Sequence, residues 1–249
     1  MPPSLWSKLA AGRDLISFNL IKIMFSYRIH NPNNAEIQSD STVIPFGHRC
    51  SSALACKYAN LRKCSLPFDW TRTCFPGKIQ KVLEHNFHEF IPDVQKGVFR
   101  NKYEFDLAHF NSNRTQGVEE YKRRIARFNE LITQPKKKYF VFINEDYLYD
   151  PKYRETEFVD TLFHEMVNLE RFLREKYPEI NYTIIYIDFK QHTIPSDSCI
   201  LNAVLQSARF FNAHDSAPVE PFRNFCGTML AELFKTPLSL GYNTSVFYN

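Results

Sequence analysis

Two hydrophobic periods alternate along the chain: short continuous apolar runs, and longer stretches in which apolar residues recur every three to four positions. Residues 43–46 read as a short strand. A tight loop, Gly47-His48-Arg49, leads from it into a helix opening at Cys50, with Leu54, Tyr58 and Leu61 at i, i+4 and i+7 as its inward face. Ile79, Val82, Leu83, Phe87 and Phe90 predict a helix over 77–90. Val118, Tyr121, Ile125, Phe128 and Ile132 predict another over 118–133, with Lys122, Arg123 and Arg124 on its solvated side.

The runs 138–144 and 181–188 are apolar without alternation, the pattern of strands buried on both faces. Between them, Phe158, Leu162, Met166, Leu169 and Leu173 form one stripe of a helix over 155–177. Asp150 is placed as its N-cap before Pro151, and Pro178 stops it. Strand, helix and strand at this spacing predict a right-handed crossover in a parallel sheet. Ile200, Val204, Ala208 and Phe211 predict a helix over 197–212, and Phe222, Phe225, Met229 and Leu233 a last one over 218–234.

The expected fold class is therefore α/β, a single three-layer domain with a mainly parallel central sheet flanked by helices. Residues 30–41 are polar and turn-rich. They read as a linker that, with the rest of 1–41, precedes a domain spanning 42–235, and 236–249 is a loop-like tail. A chain of 249 residues, 44% hydrophobic and 15% aromatic, has the material for one large core. No internal repeat, low-complexity tract or Gly-rich phosphate loop interrupts it.

Charge and cysteine usage narrow the partners. With 31 basic against 27 acidic residues the balance is too mild to imply a nucleic-acid partner, and Lys136-Lys137-Lys138 reads as a solvated loop. The six cysteines lack the spacing of a disulfide scaffold, so reduced thiols and a cytoplasmic location are expected, the host cytoplasm if the protein is viral. Residues 15–25 are apolar but short and interrupted. They predict neither a membrane span nor a signal segment, since no small-residue cleavage site follows.

Cys50 is the candidate nucleophile, because a thiol at a strand-to-helix junction meets orphan backbone N–H groups and the positive end of a helix dipole. The plain alternative is a small buried hydrophobe. In open α/β sheets functional groups gather beyond the carboxyl ends of the strands. That rule selects His48 and Cys50, then Asn144, Glu145 and Asp146, then Asp188. A thiol needs a base, for which His48, His85, His88, His109, His164, His192 and His214 are available. His109 stands apart because it lies in a short apolar stretch outside the amphipathic helices; its alternative is a structural histidine.

Metal readings are weak. Cys50, Cys56, Cys64 and Cys74 lack a Cys-x-x-Cys knuckle, and His164-Glu165-Met166-Val167-Asn168 has Asn168 where a zinc-binding helix needs its second histidine. The pair His85 and His88 is more simply exposed. No cofactor and no metal are expected.

Gly47-His48-Arg49-Cys50, then Asn60-Leu61-Arg62-Lys63 and Pro67-Phe68-Asp69-Trp70, resemble a domain family of unknown function labelled putative papain-like cysteine peptidase, found in bacteria and large DNA viruses. The similarity continues through His109-Phe110, the helix around Tyr121 to Phe128 and the two buried strands. The residue after the histidine is often acidic in that family and is Phe110 here.

The resemblance implies Cys50 as nucleophile, His109 as base and Asp69 as the carboxylate orienting that base, with Asp188 and Asn144 as alternatives. It also implies a backbone N–H of Cys50 or Ser51 as oxyanion donor. A papain-like α+β fold is the architectural alternative that comes with it. A cysteine-dependent hydrolase acting on a peptide or isopeptide bond, with a peptide or protein substrate, is the leading functional expectation. A non-catalytic interaction module and an α/β enzyme acting on a sugar or nucleotide without a thiol step stand beside it. No membrane partner is expected, and oligomeric state is not legible.

Overall fold

The computed structural model describes residues 25–33, 37–38, 40–92, 100–107, 114–148, 151–207 and 219–235. Its sheet has five strands: β1 (Phe25–His30), β2 (Thr42–Pro45), β3 (Lys138–Ile143), β4 (Tyr182–Asp188) and β5 (Ile200–Ser207), in the order β1-β5-β4-β3-β2. Strands β2 to β5 run parallel, and β1 closes the far edge antiparallel to β5. The helices are α1 (Ser51–Tyr58), α2 (Pro76–Glu84), α3 (Arg114–Thr133), α4 (Thr156–Lys176) and α5 (Val219–Lys235).

Alternate residues of each strand feed two separate cores, because successive side chains leave a strand on opposite faces. Ile44, Phe140, Phe142, Ile184 and Tyr186 pack under α2, α3 and α4. Val43, Tyr139, Val141, Ile143, Ile185, Ile187 and Leu201 pack under α1 and α5. The chain is thus a three-layer α/β domain, as its hydrophobic pattern predicts. The papain-like α+β alternative is set aside, since it calls for an antiparallel sheet and four of these five strands are parallel.

Several local expectations fail for identifiable reasons. Residues 200–207 form β5 rather than a helix. The spacing of Ile200 and Val204 fits both periods, and pairing with β4 on one side and β1 on the other satisfies a backbone that helix formation would withdraw. The sheet also takes in Phe25–His30, which lies ahead of the linker. In α1 the buried residues are Ser51, Ser52, Ala53, Ala55 and Cys56, while Tyr58 is exposed and Leu61 lies past the helix end. The helices α1 and α5 approach closely at Gly227, where a Cβ would stand 2.7 Å from Tyr58 Cβ and 3.0 Å from the Ala55 carbonyl.

Arg124 is buried rather than solvated. It lies over the Tyr121 ring at 4.8 Å and donates to Glu120. The helix expected over 77–90 ends at Glu84, and Asn86, Phe87 and Glu89 turn the chain with positive φ while Phe87 and Phe90 still enter the core. Glu155 occupies the N-cap of α4, because Pro151–Arg154 forms its own short 3₁₀ turn; Asp150 lies outside the described residues. Among the described residues no helix is long and apolar enough to cross a membrane.

Candidate active site at the carboxyl edge of the sheet

Strand β2 ends at Pro45, and Phe46 then anchors the following loop by stacking on Phe140 with ring centroids 4.2 Å apart. A buried aromatic of this size contributes about 2–3 kcal/mol, so the start of the loop is fixed. The chain reverses through two left-handed residues, Gly47 at φ +73° and Arg49 at φ +57°. Glycine is required at the first, since a Cβ would lie 2.6 Å from Cys74 Sγ. Cys50 follows as the N-cap of α1, and its carbonyl accepts from the Leu54 amide at 2.9 Å. The N–H groups of Ser51, Ser52 and Ala53 occupy the first turn, where a helix offers them no carbonyl.

The strand-to-helix junction is present, but the helix dipole and neighbouring arginines do not leave the thiol preformed as a thiolate. Burial pushes the Cys50 thiol up; Arg223, Arg72 and Arg49 pull it back and Glu145 opposes them, and the balance leaves it above the ordinary cysteine range. Glu145, on the loop after β3, takes both bonds of a forked pair with Arg223 of α5, at 3.0 and 2.9 Å. A thiol raised in this way needs a base at the moment of attack.

The next carboxylate, Asp146, reaches the nucleophile loop itself. His48 Nε2 lies 2.5 Å from Asp146 Oδ2, and Arg49 Nε donates to Asp146 Oδ1, so the two residues before Cys50 are held by one buried carboxylate. Burial pushes the Asp146 carboxyl up, but the His48 hydrogen bond and the charges of His48 and Arg49 outweigh it and hold the group below the usual carboxylate range. His48 is 1% exposed and stacks on Phe75 with centroids 4.8 Å apart. Its other ring nitrogen, Nδ1, is buried and makes no hydrogen bond among the described residues.

Asp69 sits in a different setting. Its Oδ2 accepts from Arg62 Nε at 2.9 Å, from a second Arg62 nitrogen at 2.5 Å and from the Leu66 amide at 3.0 Å. It closes the turn before Trp70, with Arg62 lying 5.2 Å from the Trp70 ring centre. Burial raises its carboxyl, with Arg62 and the Leu66 bond offsetting part of the effect. Its Oδ1 is buried and makes no hydrogen bond among the described residues.

His109 and His214 lie outside the described residues. The strand-like segment leading toward His109 is described as far as Leu107, and Asp106 pairs there with Arg72, one of the arginines acting on Cys50. His85, His88 and His164 are exposed; His85 and His164 each bond a carbonyl one helical turn back. His192 belongs to a second buried pair, its Nε2 2.9 Å from Asp188 Oδ2. Asn144 donates to Asp188 Oδ1 at 3.1 Å, so the two alternatives for the orienting carboxylate meet each other and His192. His192 is stacked on Phe163, which closes that cluster against the α4 side of the sheet.

Among the described residues no group of three or more His, Cys, Asp or Glu side chains converges as a metal site. All six cysteines carry thiols; Cys56, Cys74 and Cys226 are buried, while Cys50, Cys64 and Cys199 are partly exposed. What sequence reading missed is the pairing of His48 with Asp146. Both stand where the strand-end rule directs attention, but nothing in the pattern of either loop joins residues 98 positions apart.

A family model described as putative papain-like cysteine peptidase, a domain of unknown function, matches residues 41–96 and 89–192. The chain belongs to that family. The two segments run together from β2 through β4, more than half of the 249 residues, and include the Cys50 loop, Asp69, His109 and Asp146. No curated protein and no solved structure matches the chain. The scaffold beneath that family name is a mainly parallel sheet.

Proposed function

We propose that the protein is a cysteine-dependent hydrolase of peptide or isopeptide bonds with Cys50 as its nucleophile. The observation that carries this reading is the place of Cys50: an N-cap thiol, partly exposed, on the carboxyl edge of a parallel sheet, among arginines from three separate segments. Thiolate attack on an acyl carbon gives a tetrahedral oxyanion, and the first-turn N–H groups of α1 are its natural donors. Departure of the amine leaves a thioester, which water then cleaves.

The resemblance assigns the base to His109 and the orienting carboxylate to Asp69. Two features support these assignments: Asp106, three residues before His109, pairs with Arg72, and Asp69 retains one buried oxygen that makes no hydrogen bond among the described residues. A peptidyl epoxide or vinyl sulfone probe tests the nucleophile. The wild type is expected to be labelled at Cys50 and Cys50→Ala to lose the label; labelling that survives the substitution contradicts the reading.

A further inference from the structure

A buried imidazole nitrogen with no hydrogen bond is destabilising, and His48 Nδ1 is such a nitrogen, two residues before the candidate nucleophile. Asp146 takes Nε2 at 2.5 Å, so that whenever the ring is neutral its proton is kept on Nε2 and the lone pair lies on Nδ1. One residue, Arg49, separates His48 from Cys50. Arg49 is itself in the left-handed region and bonded to the same carboxylate, so the turn carrying both side chains is fixed from one point.

We propose that His48, oriented by Asp146, is the base that takes the proton of Cys50. The proposal rests on the reading of Cys50 as nucleophile and assigns the base of that site to His48 in place of His109. The Sγ proton passes to His48 Nδ1 as sulfur bonds to the acyl carbon. The resulting imidazolium is stabilised by Asp146 and returns the proton to the departing amine, and the thioester is released by water. Nδ1 and Cys50 are not hydrogen bonded in the resting protein, and such contacts commonly tighten only when substrate is bound.

The scaffold explains why this pair is separate from its rivals. Asp146 stands on the loop after β3, next to β2 in the sheet, so a residue just past each strand end lies within reach of the other. His192 has the same chemistry but is fixed on Asp188 at the end of β4, with Asp160, Lys190 and Asn202 around it. The charged groups facing Cys50 are Arg49, Arg72 and Arg223, with Glu145 opposed to them; those facing His48 are Asp146 and Arg49.

Labelling of the full chain by a peptidyl vinyl sulfone, which occupies the acyl site as a substrate would, read thiol by thiol by mass spectrometry from pH 5 to 10, tests the assignment. His48→Gln keeps a donor for Asp146 and cannot accept the proton. It is expected to slow Cys50 alkylation at pH 7 at least about tenfold and to move its midpoint up by one pH unit or more. Asp146→Asn is expected to move it in the same direction, and His109→Gln to leave it in place.

Unchanged rates at Cys64 and Cys199, with Cys56, Cys74 and Cys226 still protected, report that each variant is folded. A shift in His109→Gln with none in His48→Gln overturns the assignment and leaves Cys50 as nucleophile. Wild-type Cys50 reacting no faster than Cys64 and Cys199 overturns the reading of Cys50 itself, and this proposal with it.

Discussion

His48 and Asp146 stand just past the carboxyl ends of neighbouring parallel strands, and their side chains meet at 2.5 Å across that edge. The contact ties the nucleophile loop to the loop after β3. Arg49 adds a second bond to the same carboxylate, so Asp146 fixes the approach of the chain to Cys50.

Asp146→Asn is therefore expected to destabilise the fold at pH 7 by about 2 kcal/mol, a figure kept low because Arg49 is partly exposed. The native carboxyl lies below its ordinary value, so its contribution is complete above about pH 4 and is lost as the pH falls through that lowered value. Urea unfolding at pH 7 and at pH 3 checks this. The gap between wild type and variant should narrow at the lower pH.

Arg62→Ala carries the opposite pH signature. It strands the fully buried Asp69 carboxylate and should cost about 3 kcal/mol at pH 7. Asp69 is raised in the native protein, so its contribution is greatest below about pH 4 and declines as the pH rises through the raised value. Without Arg62 the decline should steepen, and the same unfolding series at pH 4 to 8 would show the variant losing ground as the pH rises.

Gly47→Ala should destabilise by about 2–4 kcal/mol. A left-handed alanine costs about 1 kcal/mol, and its Cβ would meet Cys74 Sγ at 2.6 Å and Cys74 Cβ at 2.8 Å. Thermal unfolding of Gly47→Ala, Cys74→Ala and the double variant would show a less-than-additive loss, because removing the sulfur relieves one of the two contacts.

At the α1–α5 contact, Gly227→Ala should cost about 1–3 kcal/mol, since the added methyl faces the Ala55 carbonyl at 3.0 Å and has no flexible side-chain end to displace. Arg223 lies one turn away on α5. The variant should therefore also change the alkylation rate of Cys50, which mass spectrometry would report alongside the melting curve.

Much of this architecture is written in the hydrophobic pattern. Strands β3 and β4 are buried at every position and mostly apolar because helices cover both faces, and α4 carries a continuous apolar stripe between them. Strand β5 is not legible in the same way. Its apolar residues satisfy both periods, and the choice is made by backbone partners that local sequence does not contain. The inward face of α1 is hidden for a related reason: its buried positions are serine, alanine and cysteine while Tyr58 is exposed, and which face is covered is decided by the close approach of α5.

The site divides along the same line. Cys50 is found from its strand-to-helix junction, a local property. Asp146 as the partner of His48 depends on β2 and β3 lying side by side, which only the assembled sheet supplies.

Catalysis by Cys50 requires a covalent acyl bond to its sulfur. Incubation with a peptide thioester or activated ester library, followed by intact-mass and peptide mapping, tests it most directly. Wild-type protein should carry an acyl adduct on Cys50 that decays as product appears, and Cys50→Ala should show neither adduct nor turnover. Turnover that persists in Cys50→Ala, or an adduct that forms on another thiol, would contradict it.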